Sequence, residues 1–384
     1  MPDHRVVNTA DESAYSEISS QYLIATELEP LPDSTILSRS LSLKSVISTR
    51  SSFARRSQAA RIRPELQDVN QIGDGLQGVI FEQVGRPLVF KKEIPGNETR
   101  SSNLRHEYGL HEEVSTAFAL YDSKIHSHVR VPKPLEFISR ADDAHRFWDV
   151  LPKVPAQYRA RGDVVKMERI LPLPKVARKA LVAHFYGKQG DSSTADIEAI
   201  LNETTNKHCL VRLYLGKADG PLAQGKSPLR NFPLYLKAME KLSMDVNGLA
   251  NAMGKAFAIM HWGAGINGDD VEFVLGTSAI GTETIPPDLQ HRAVGMYLLD
   301  FGQCDVVDLK QEPDEVYQAF KGAMVTGDNQ NFIPNCQKSP SVFAEFKDGY
   351  LLAGKTILEE KGMADRLSVE DFMREYEEYA EDFL

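Results

Sequence analysis

The feature that most constrains the fold is an ordered series of short motifs between Gly73 and Gly302. The first is the stretch IGDGLQGVI, in which Gly73, Gly75 and Gly78 precede the strand-like run VIFEQV. Glycine permits a tight turn and lets backbone N–H groups approach an anion, because no Cβ stands in the way. Since a strand follows the glycines, the pattern predicts a hairpin. By itself it is equally typical of an ordinary glycine-rich hairpin.

A lysine-bearing strand and a glutamate-bearing helix come next. The run RPLVFKKEI has the β-branched and aromatic content of a strand and carries Lys91 and Lys92, with Lys91 on the same strand face as Val89. Residues 101–122 have apolar side chains at three- and four-residue spacing, which predicts a helix that carries Glu107. An ion pair between such a lysine and such a glutamate is one part of a phosphate-holding site. Solvated surface charges are the alternative.

An acidic loop and an Asp-Phe-Gly motif complete the series. Residues 233–262 predict a long buried helix, and the loop NGDDVEFVLG that follows contains Asp269, Asp270 and Glu272. Asp300 comes directly after the strand-like run MYLL. In this order the elements are typical of the protein kinases. We therefore predict an α+β, protein-kinase-like two-lobed fold, with a small β-rich N-lobe and a larger helical C-lobe.

The acidic loop departs from that of an active kinase. In a kinase, a metal-binding asparagine stands five positions after the catalytic aspartate. The residues five positions after Asp269 and Asp270 are Val274 and Leu275, which cannot bind magnesium, and His261 precedes Asp270 by nine residues instead of two. A protein-kinase-like fold therefore does not by itself predict phosphoryl transfer.

Composition divides the chain into three parts. Residues 1–64 are rich in serine and poor in large apolar side chains, so we predict a mostly disordered N-terminal arm there. The N-lobe is predicted over residues 65–172 and the helical C-lobe over residues 173–384.

Residues 34–64 contain no acidic residue and seven basic ones, which are Arg39, Lys44, Arg50, Arg55, Arg56, Arg61 and Arg63. This segment is therefore either a solvated tail or an arm that binds a polyanion.

Charge and cysteine content argue against several classes of protein. With 44 basic and 54 acidic residues the net charge is −10, which argues against a globally basic nucleic-acid-binding protein, DNA-binding proteins included, but leaves local basic patches open. No apolar run approaches the roughly 20 residues of a membrane-spanning helix, and the N-terminus lacks the apolar segment of a signal peptide. The three scattered cysteines form neither a disulfide framework nor a zinc site. We therefore expect a cytoplasmic protein with reduced cysteines, no metal site and no membrane partner.

The chain also resembles a family of fungal proteins over roughly residues 66–380. The segments that carry the resemblance are MERILPLP, HCLVRLYLG, NFPLYL, MGKAFAIMHWGAGINGDDVEFVLG and LLDFGQC. Some members are known as arginine-containing cyclodipeptide synthases, which make cyclo-(Arg-Xaa) diketopiperazines from aminoacylated tRNAs in secondary metabolism. The family was formerly labelled zinc-finger-like, a label that the scattered cysteines do not support. Two positions depart from the family pattern, since Gly302 stands where Asn is usual and Asn267 where Asp is frequent.

The resemblance implies a tRNA-dependent synthase that joins arginine from Arg-tRNA to the amino acid of a second aminoacyl-tRNA. An aminoacyl ester is already activated, so no cofactor is expected, and Mg-ATP would be needed only by a phosphotransferase. The candidate catalytic residues are Asp270, Glu272, Asp300 and His261. The candidate substrate-binding residues, several of them carboxylates that suit a guanidinium group, are Asp269, Glu107, Lys91 and Glu168. The candidate tRNA-binding residues are Arg55, Arg56, Arg61, Arg63, Lys175, Arg178 and Lys179.

Two alternatives remain open at this point. An ATP-dependent small-molecule phosphotransferase would use Lys91, Asp270 and Asp300 with magnesium. A non-catalytic, pseudokinase-like binding module would use the fold only as a scaffold. The sequence does not specify the second amino acid of the synthase reaction, a covalent acyl-enzyme or the oligomeric state.

Overall fold

A computed structural model gives the architecture of most of the chain. The residues that it describes are 21–50, 56, 60, 68–75, 78–94, 98–187, 194–223, 225, 228–281 and 289–383. Among them, no helix is long and apolar enough to cross a lipid bilayer.

The described elements make a mixed α+β fold, as the sequence predicted. The strands are β1 (Gln21–Ile24), β2 (Ser45–Arg50), β3 (Val69–Asp74), β4 (Val79–Gln83), β5 (Leu88–Lys92), β6 (Val129–Arg130), β7 (Pro134–Ile138), β8 (Val164–Glu168), β9 (Val211–Tyr214), β10 (Phe232–Tyr235), β11 (Glu272–Ile280) and β12 (Leu289–Leu299). The helices are α1 (Ala25–Leu28), α2 (Asp33–Ser40), α3 (Glu98–Ile125), α4 (Lys175–Tyr186), α5 (Thr194–Asn202), α6 (Leu236–Lys241), α7 (Val246–Ala258), α8 (Pro313–Met324), α9 (Asn329–Phe332), α10 (Pro340–Glu360) and α11 (Val369–Phe383).

The first sheet has five strands in the order β3-β4-β5-β8-β7, and every neighbouring pair is antiparallel. The glycine-rich stretch joins β3 to β4 as a hairpin, in which the Gly75 N–H donates to the Gly78 carbonyl at 2.9 Å. A Cβ at Gly78 would lie 2.5 Å from the Lys92 carbonyl oxygen. Only glycine therefore allows β4 to approach β5 this closely.

The second sheet has seven strands, in the order β1-β2-β12-β11-β9-β10 with β6 also paired to β12. The strands β1 and β2 come from the predicted N-terminal arm, so the prediction of disorder is wrong for residues 21–50. Tyr22 and Ile24 of β1 are exposed, but other apolar side chains of residues 21–50 are buried in the main core, among them Leu23, Ile36, Leu37 and Ile47. Burial against β12 and α4 offsets the entropy cost of ordering this segment, and local composition does not report such long-range contacts.

The main core contains side chains of the seven-stranded sheet and of the C-terminal helices, among which α7 packs along α10. Glycines allow the close approach, since a Cβ at Gly254 would lie 2.0 Å from the Phe346 carbonyl oxygen and one at Gly349 would lie 2.2 Å from the Asn251 carbonyl oxygen. The predicted single helix over residues 233–262 is corrected to β10, α6, α7 and a π-helical turn. The break before α7 has a local cause, because the Asp245 carboxylate caps the new helix by accepting from the Gly248 N–H at 3.0 Å.

Candidate functional site

The hairpin of β11 and β12 brings the acidic loop next to the Asp-Phe-Gly motif. In this antiparallel pair Glu272 faces Leu299. The residues just before β11, Asp269 and Asp270, therefore emerge at the same end of the hairpin as Asp300, which follows β12. Carboxylates that the sequence predicted as one group are thus brought together by strand register.

Two of these aspartates have an unusual backbone. Asp270 has φ +56° and Asp300 has φ +67°, both in the left-handed region that non-glycine residues seldom adopt. A conformation of this kind costs on the order of 1–3 kcal/mol and persists where the surrounding structure enforces it. Here it turns each chain segment sharply where a strand begins or ends, and this sets the position of the carboxylate.

The first sheet contributes a buried ion pair to the same place. The Lys91 Nζ atom lies 2.6 and 2.7 Å from the two carboxylate oxygens of Glu107 on α3, and 3.5 Å from Asp300 Oδ1. Burial alone would lower the pKa of Lys91, but the negative charges of Glu107 and Asp300 outweigh it and raise that pKa. Lys91 is therefore cationic and connects the first sheet to Asp300. Lys92 has a different environment and donates to the Glu93 carbonyl at 3.2 Å.

An arginine and a further aspartate surround Glu272. The guanidinium of Arg212, on β9, pairs with Glu272 through Nη2 and lies 3.4 Å from Asp328 Oδ2 through Nη1. It also donates to the Tyr214 hydroxyl at 3.2 Å. Burial raises the pKa of Glu272 to about 7, with the charge of Arg212 opposing and that of Asp300 adding to the shift. At neutral pH this carboxyl group exists in both protonation states.

The two loop aspartates are held by the turn before α9. Asp270 Oδ1 accepts from the Asp328 N–H at 3.0 Å, and Asp269 Oδ1 accepts from the Thr326 hydroxyl at 2.8 Å. Burial raises the pKa of Asp270; the hydrogen bond from Asp328 opposes the shift and the charge of Asp300 adds to it. The loop is therefore fixed at both carboxylates.

We refer to Asp269, Asp270, Glu272, Asp300, Asp328 and Glu107 as the acidic cluster. It contains six carboxyl groups and faces two cationic side chains, Lys91 and Arg212. The excess of negative charge favours a cationic ligand. The side chains of Asp300 and Asp328 are 37% and 42% exposed, so solvent reaches the cluster.

His261 is not part of the acidic cluster. It is fully buried, stacks on Phe320 at 4.2 Å between ring centroids and shares a hydrogen bond of 2.8 Å between Nδ1 and the Tyr350 hydroxyl. Burial lowers the pKa of His261 to about 3, so the ring is neutral. His261 therefore packs the helical core, and this position does not support the predicted catalytic role.

Glu168 also lies apart from the cluster. It is exposed at the end of β8, and its carboxylate accepts from the Lys133 N–H at 3.1 Å. Lys91 faces Val165 in the adjacent strand, so Glu168 stands three residues further along, which is about 10 Å. The predicted substrate contact of Glu168 is not supported by this position.

The predicted tRNA-binding residues fall into three groups. Arg55, Arg61 and Arg63 lie outside the described residues. Arg56, Lys175 and Lys179 are exposed, and Lys175 pairs with Glu198 at 3.1 Å. Arg178 donates to the Leu173 and Asn206 carbonyls and burial lowers its pKa, so its position does not support the predicted tRNA contact.

Sequence reasoning missed Arg212, Asp328 and Thr326. A signal for Arg212 existed, since an arginine within the apolar strand HCLVRLYLG needs a buried partner. Asp328 and Thr326 lie in an ordinary turn, TGDN, that carries no local signal of a site. The two residues belong to the candidate site only because this turn packs against the acidic loop.

No family model matches the chain, and no curated protein matches it. In the part of the chain that the structure describes, no three His, Cys, Asp or Glu side chains are grouped closely enough to hold a metal ion.

Proposed function

We propose that the protein is a tRNA-dependent cyclodipeptide synthase, which joins arginine from Arg-tRNA to the amino acid of a second aminoacyl-tRNA and releases a cyclo-(Arg-Xaa) diketopiperazine. The observation that carries the proposal is the acidic cluster, in which Asp270 and Asp300 converge near Glu272. Paired carboxylates suit the planar guanidinium of an arginyl group. The resemblance to the fungal family, carried by segments such as MHWGAGINGDDVEFVLG, supports the same function.

The first step is attack of one aminoacyl amine on the ester carbonyl of the other. A C–N bond forms, the C–O bond to the tRNA ribose breaks, and the amine loses a proton. Glu272 is our candidate for the base, since a carboxylate with a pKa of about 7 can take up a proton at neutral pH and release it again. Asp300 and Asp270 would hold the arginyl guanidinium while the reacting atoms meet.

The second step closes the ring. The remaining free amine of the dipeptidyl-tRNA attacks its own ester carbonyl, a second amide bond forms and the second tRNA leaves. Both steps use ester bonds that are already activated, so the reaction balances without ATP. The carboxyl group of Glu272 can serve as base in each step, because it returns its proton to the departing ribose oxygen.

Direct attack is preferred to an acyl-enzyme on the nearby Cys304. Its thiol donates to the Asp269 carbonyl at 3.3 Å, and burial followed by the charges of Asp269 and Asp300 raises its pKa well above the ordinary value. A thiolate, which is the nucleophilic form, is therefore disfavoured there.

We also propose that the protein has a protein-kinase-like two-lobed fold. Its N-lobe would be the five-stranded sheet with the Lys91–Glu107 pair, and its C-lobe the helical C-terminal part. The partners would be aminoacyl-tRNAs in the cytoplasm. Their phosphates need basic surface, for which the exposed Arg56, Lys175 and Lys179 are candidates.

Metabolite profiling of a bacterial host that expresses the chain tests the function. We expect a cyclo-(Arg-Xaa) product that is missing from the empty-vector host, and we expect RNase treatment of a lysate assay to abolish its formation. Product made from free amino acids and ATP after RNase treatment would contradict the proposal.

A small-molecule phosphotransferase is the second candidate. It is favoured by Lys91, which contacts both Glu107 and Asp300 as the phosphate-holding lysine of a kinase does. Against it, the positions expected to supply a metal-binding asparagine hold Val274 and Leu275, both buried in β11. Stabilisation of the protein in a thermal-unfolding titration with Mg-ATP would favour this candidate, and its absence would weigh against it.

A further inference from the structure

A second group of charged side chains lies at the other end of β12, where the first sheet meets the segment that leads to α4. It consists of three arginines, one histidine and one glutamate: Arg169, Arg178, Arg292, His208 and Glu82. Arg292 precedes Leu299 by seven residues on β12, so this arginine cluster is roughly 20 Å from the acidic cluster. The proposed synthase chemistry does not use it.

The single glutamate is already engaged within the arginine cluster. Glu82, on β4, pairs with Arg169 Nη1, and the Nη2 atom of Arg169 lies 3.5 Å from His208 Nδ1. Burial lowers the pKa of His208 to about 4, so the ring is neutral at physiological pH. The charge of Glu82 therefore balances one arginine.

The other two arginines have no carboxylate partner among the described residues. Arg178 donates to the carbonyls of Leu173 and Asn206. Arg292 is 5% exposed, donates from Nη2 to the Pro172 carbonyl at 2.5 Å, and its buried Nε has no hydrogen-bond partner. Burial, with added repulsion from Arg169 and Arg178, lowers the pKa of Arg292 to about 9.

Buried charge of one sign is costly unless a counter-charge accompanies it. Three guanidinium groups and one carboxylate leave an excess of two positive charges in the described part of the cluster, which a dianion would balance. Guanidinium N–H groups match the oxygens of phosphate in both geometry and charge. The groups come from β4, the β8–α4 segment, α4 and β12, so an anion held among them would tie the two sheets together.

We propose that the arginine cluster binds a small free dianion of the phosphate type as a structural ligand. Arg292 is the residue that contacts it, through the Nε atom that is otherwise unpartnered. We take the ligand to be a free anion and not a phosphate ester, because Arg169, Arg292 and Glu82 are each more than nine-tenths buried and an ester would have to bury its substituent beside them.

Thermal unfolding and calorimetric titration of the full chain with inorganic phosphate, at constant ionic strength set by chloride, test this proposal. In the wild type we expect the unfolding midpoint to rise with phosphate concentration and the titration to show one site per chain. Arg292→Met should weaken phosphate binding by at least ~10-fold, because it removes a charge-assisted hydrogen bond. The same variant should unfold at a higher temperature than the wild type in chloride alone, since an uncompensated buried charge is gone.

Lys241→Gln, at an exposed lysine of α6, is the matched control and should keep the full phosphate response. An equal response in Arg292→Met and wild type would overturn the proposal, as would phenyl phosphate binding as tightly as phosphate. Should Arg292→Met fail to fold, phosphorus NMR on the wild type decides the question. Line broadening that saturates at one phosphate per chain supports the site, and its absence refutes it. None of these measurements depends on synthase activity.

Discussion

At the scale of single residues, Asp300 connects the two parts of the candidate site. Its carboxylate lies 3.5 Å from the buried Lys91 and is 37% exposed, so one side faces the protein and the other faces solvent. Glu272 differs from it, because it is mostly buried and its pKa is raised to about 7. The two carboxyl groups therefore suit different tasks, Asp300 the binding of a cation and Glu272 the transfer of a proton.

Replacing Asp300 by Ala should reduce cyclo-(Arg-Xaa) formation by at least ~10- to 100-fold, the usual effect of losing a hydrogen bond to a charged group. Asp305→Asn, in the same segment and 78% exposed at its side chain, is the matched control and should keep the activity. Product yield by mass spectrometry and folding by circular dichroism check both. Wild-type yield from Asp300→Ala would remove Asp300 from the site.

The rate of product formation should rise with pH through about 7, as Glu272 loses its proton and becomes a base. Glu272→Gln should lower the rate by ~10²–10⁴-fold and remove this inflection. Stability should show the opposite trend. Because the pKa is higher in the folded state, the stability that Glu272 contributes is present at low pH and is lost as pH rises through 7. Denaturant unfolding between pH 4 and 8 should be less pH-dependent in Glu272→Gln, and an unchanged pH profile in either measurement would contradict the assignment.

At the scale of elements, close packing of two helices fixes the part of the chain that leads to the acidic loop. The helices α7 and α10 approach each other at Gly254 and Gly349, where a Cβ would contact backbone oxygens at 2.0 and 2.2 Å. A contact this short cannot be relieved by a side-chain rotation, so the helices themselves would have to separate. The π-helical turn after α7 leads directly to the acidic loop, which links this packing to the site.

Gly254→Ala should therefore destabilise the protein by about 1–3 kcal/mol, the usual cost of overpacking. Gly322→Ala, on α8, offers the contrast, because nothing lies within 4 Å of its Cβ position. It should stabilise the protein by up to ~1 kcal/mol through better helix propensity. Urea unfolding of both variants measures the difference in the free energy of unfolding. Similar values for the two variants would show that α7 and α10 can separate at Gly254 at little cost in free energy.

At the scale of the whole molecule, the N-terminal segment is part of the larger sheet. The strand β2 pairs antiparallel with β12 from Leu289 to Ala293, and β1 extends the sheet beyond it. Since β12 leads to Asp300, the N-terminal segment supports the same strand that carries the candidate site. Removing it would leave β12 with an open edge that can pair with other chains.

Deletion of residues 1–50 should lower the unfolding midpoint and promote aggregation. Deletion of residues 1–20, which leaves β1 and β2 in place, is the comparison, and the longer deletion should have the lower midpoint of the two. Differential scanning fluorimetry and size-exclusion chromatography compare the two. A monomer of full stability from the longer deletion would show that β1 and β2 are dispensable.

The sequence by itself determined the order of the elements and much of the acidic cluster. The glycine hairpin, the strand of Lys91, the helix of Glu107, the strand after the acidic loop and the strand before Asp300 follow from patterns that span a few residues, and periodicity reports such patterns well. Only the tertiary structure decided that His261 is buried, that residues 21–50 are ordered, that Arg212 and Asp328 join the cluster and that Arg292 is buried with its Nε unpaired. These facts depend on contacts between residues far apart in the chain, and burial against such a partner changes the free energy of a side chain without leaving a mark in its local sequence.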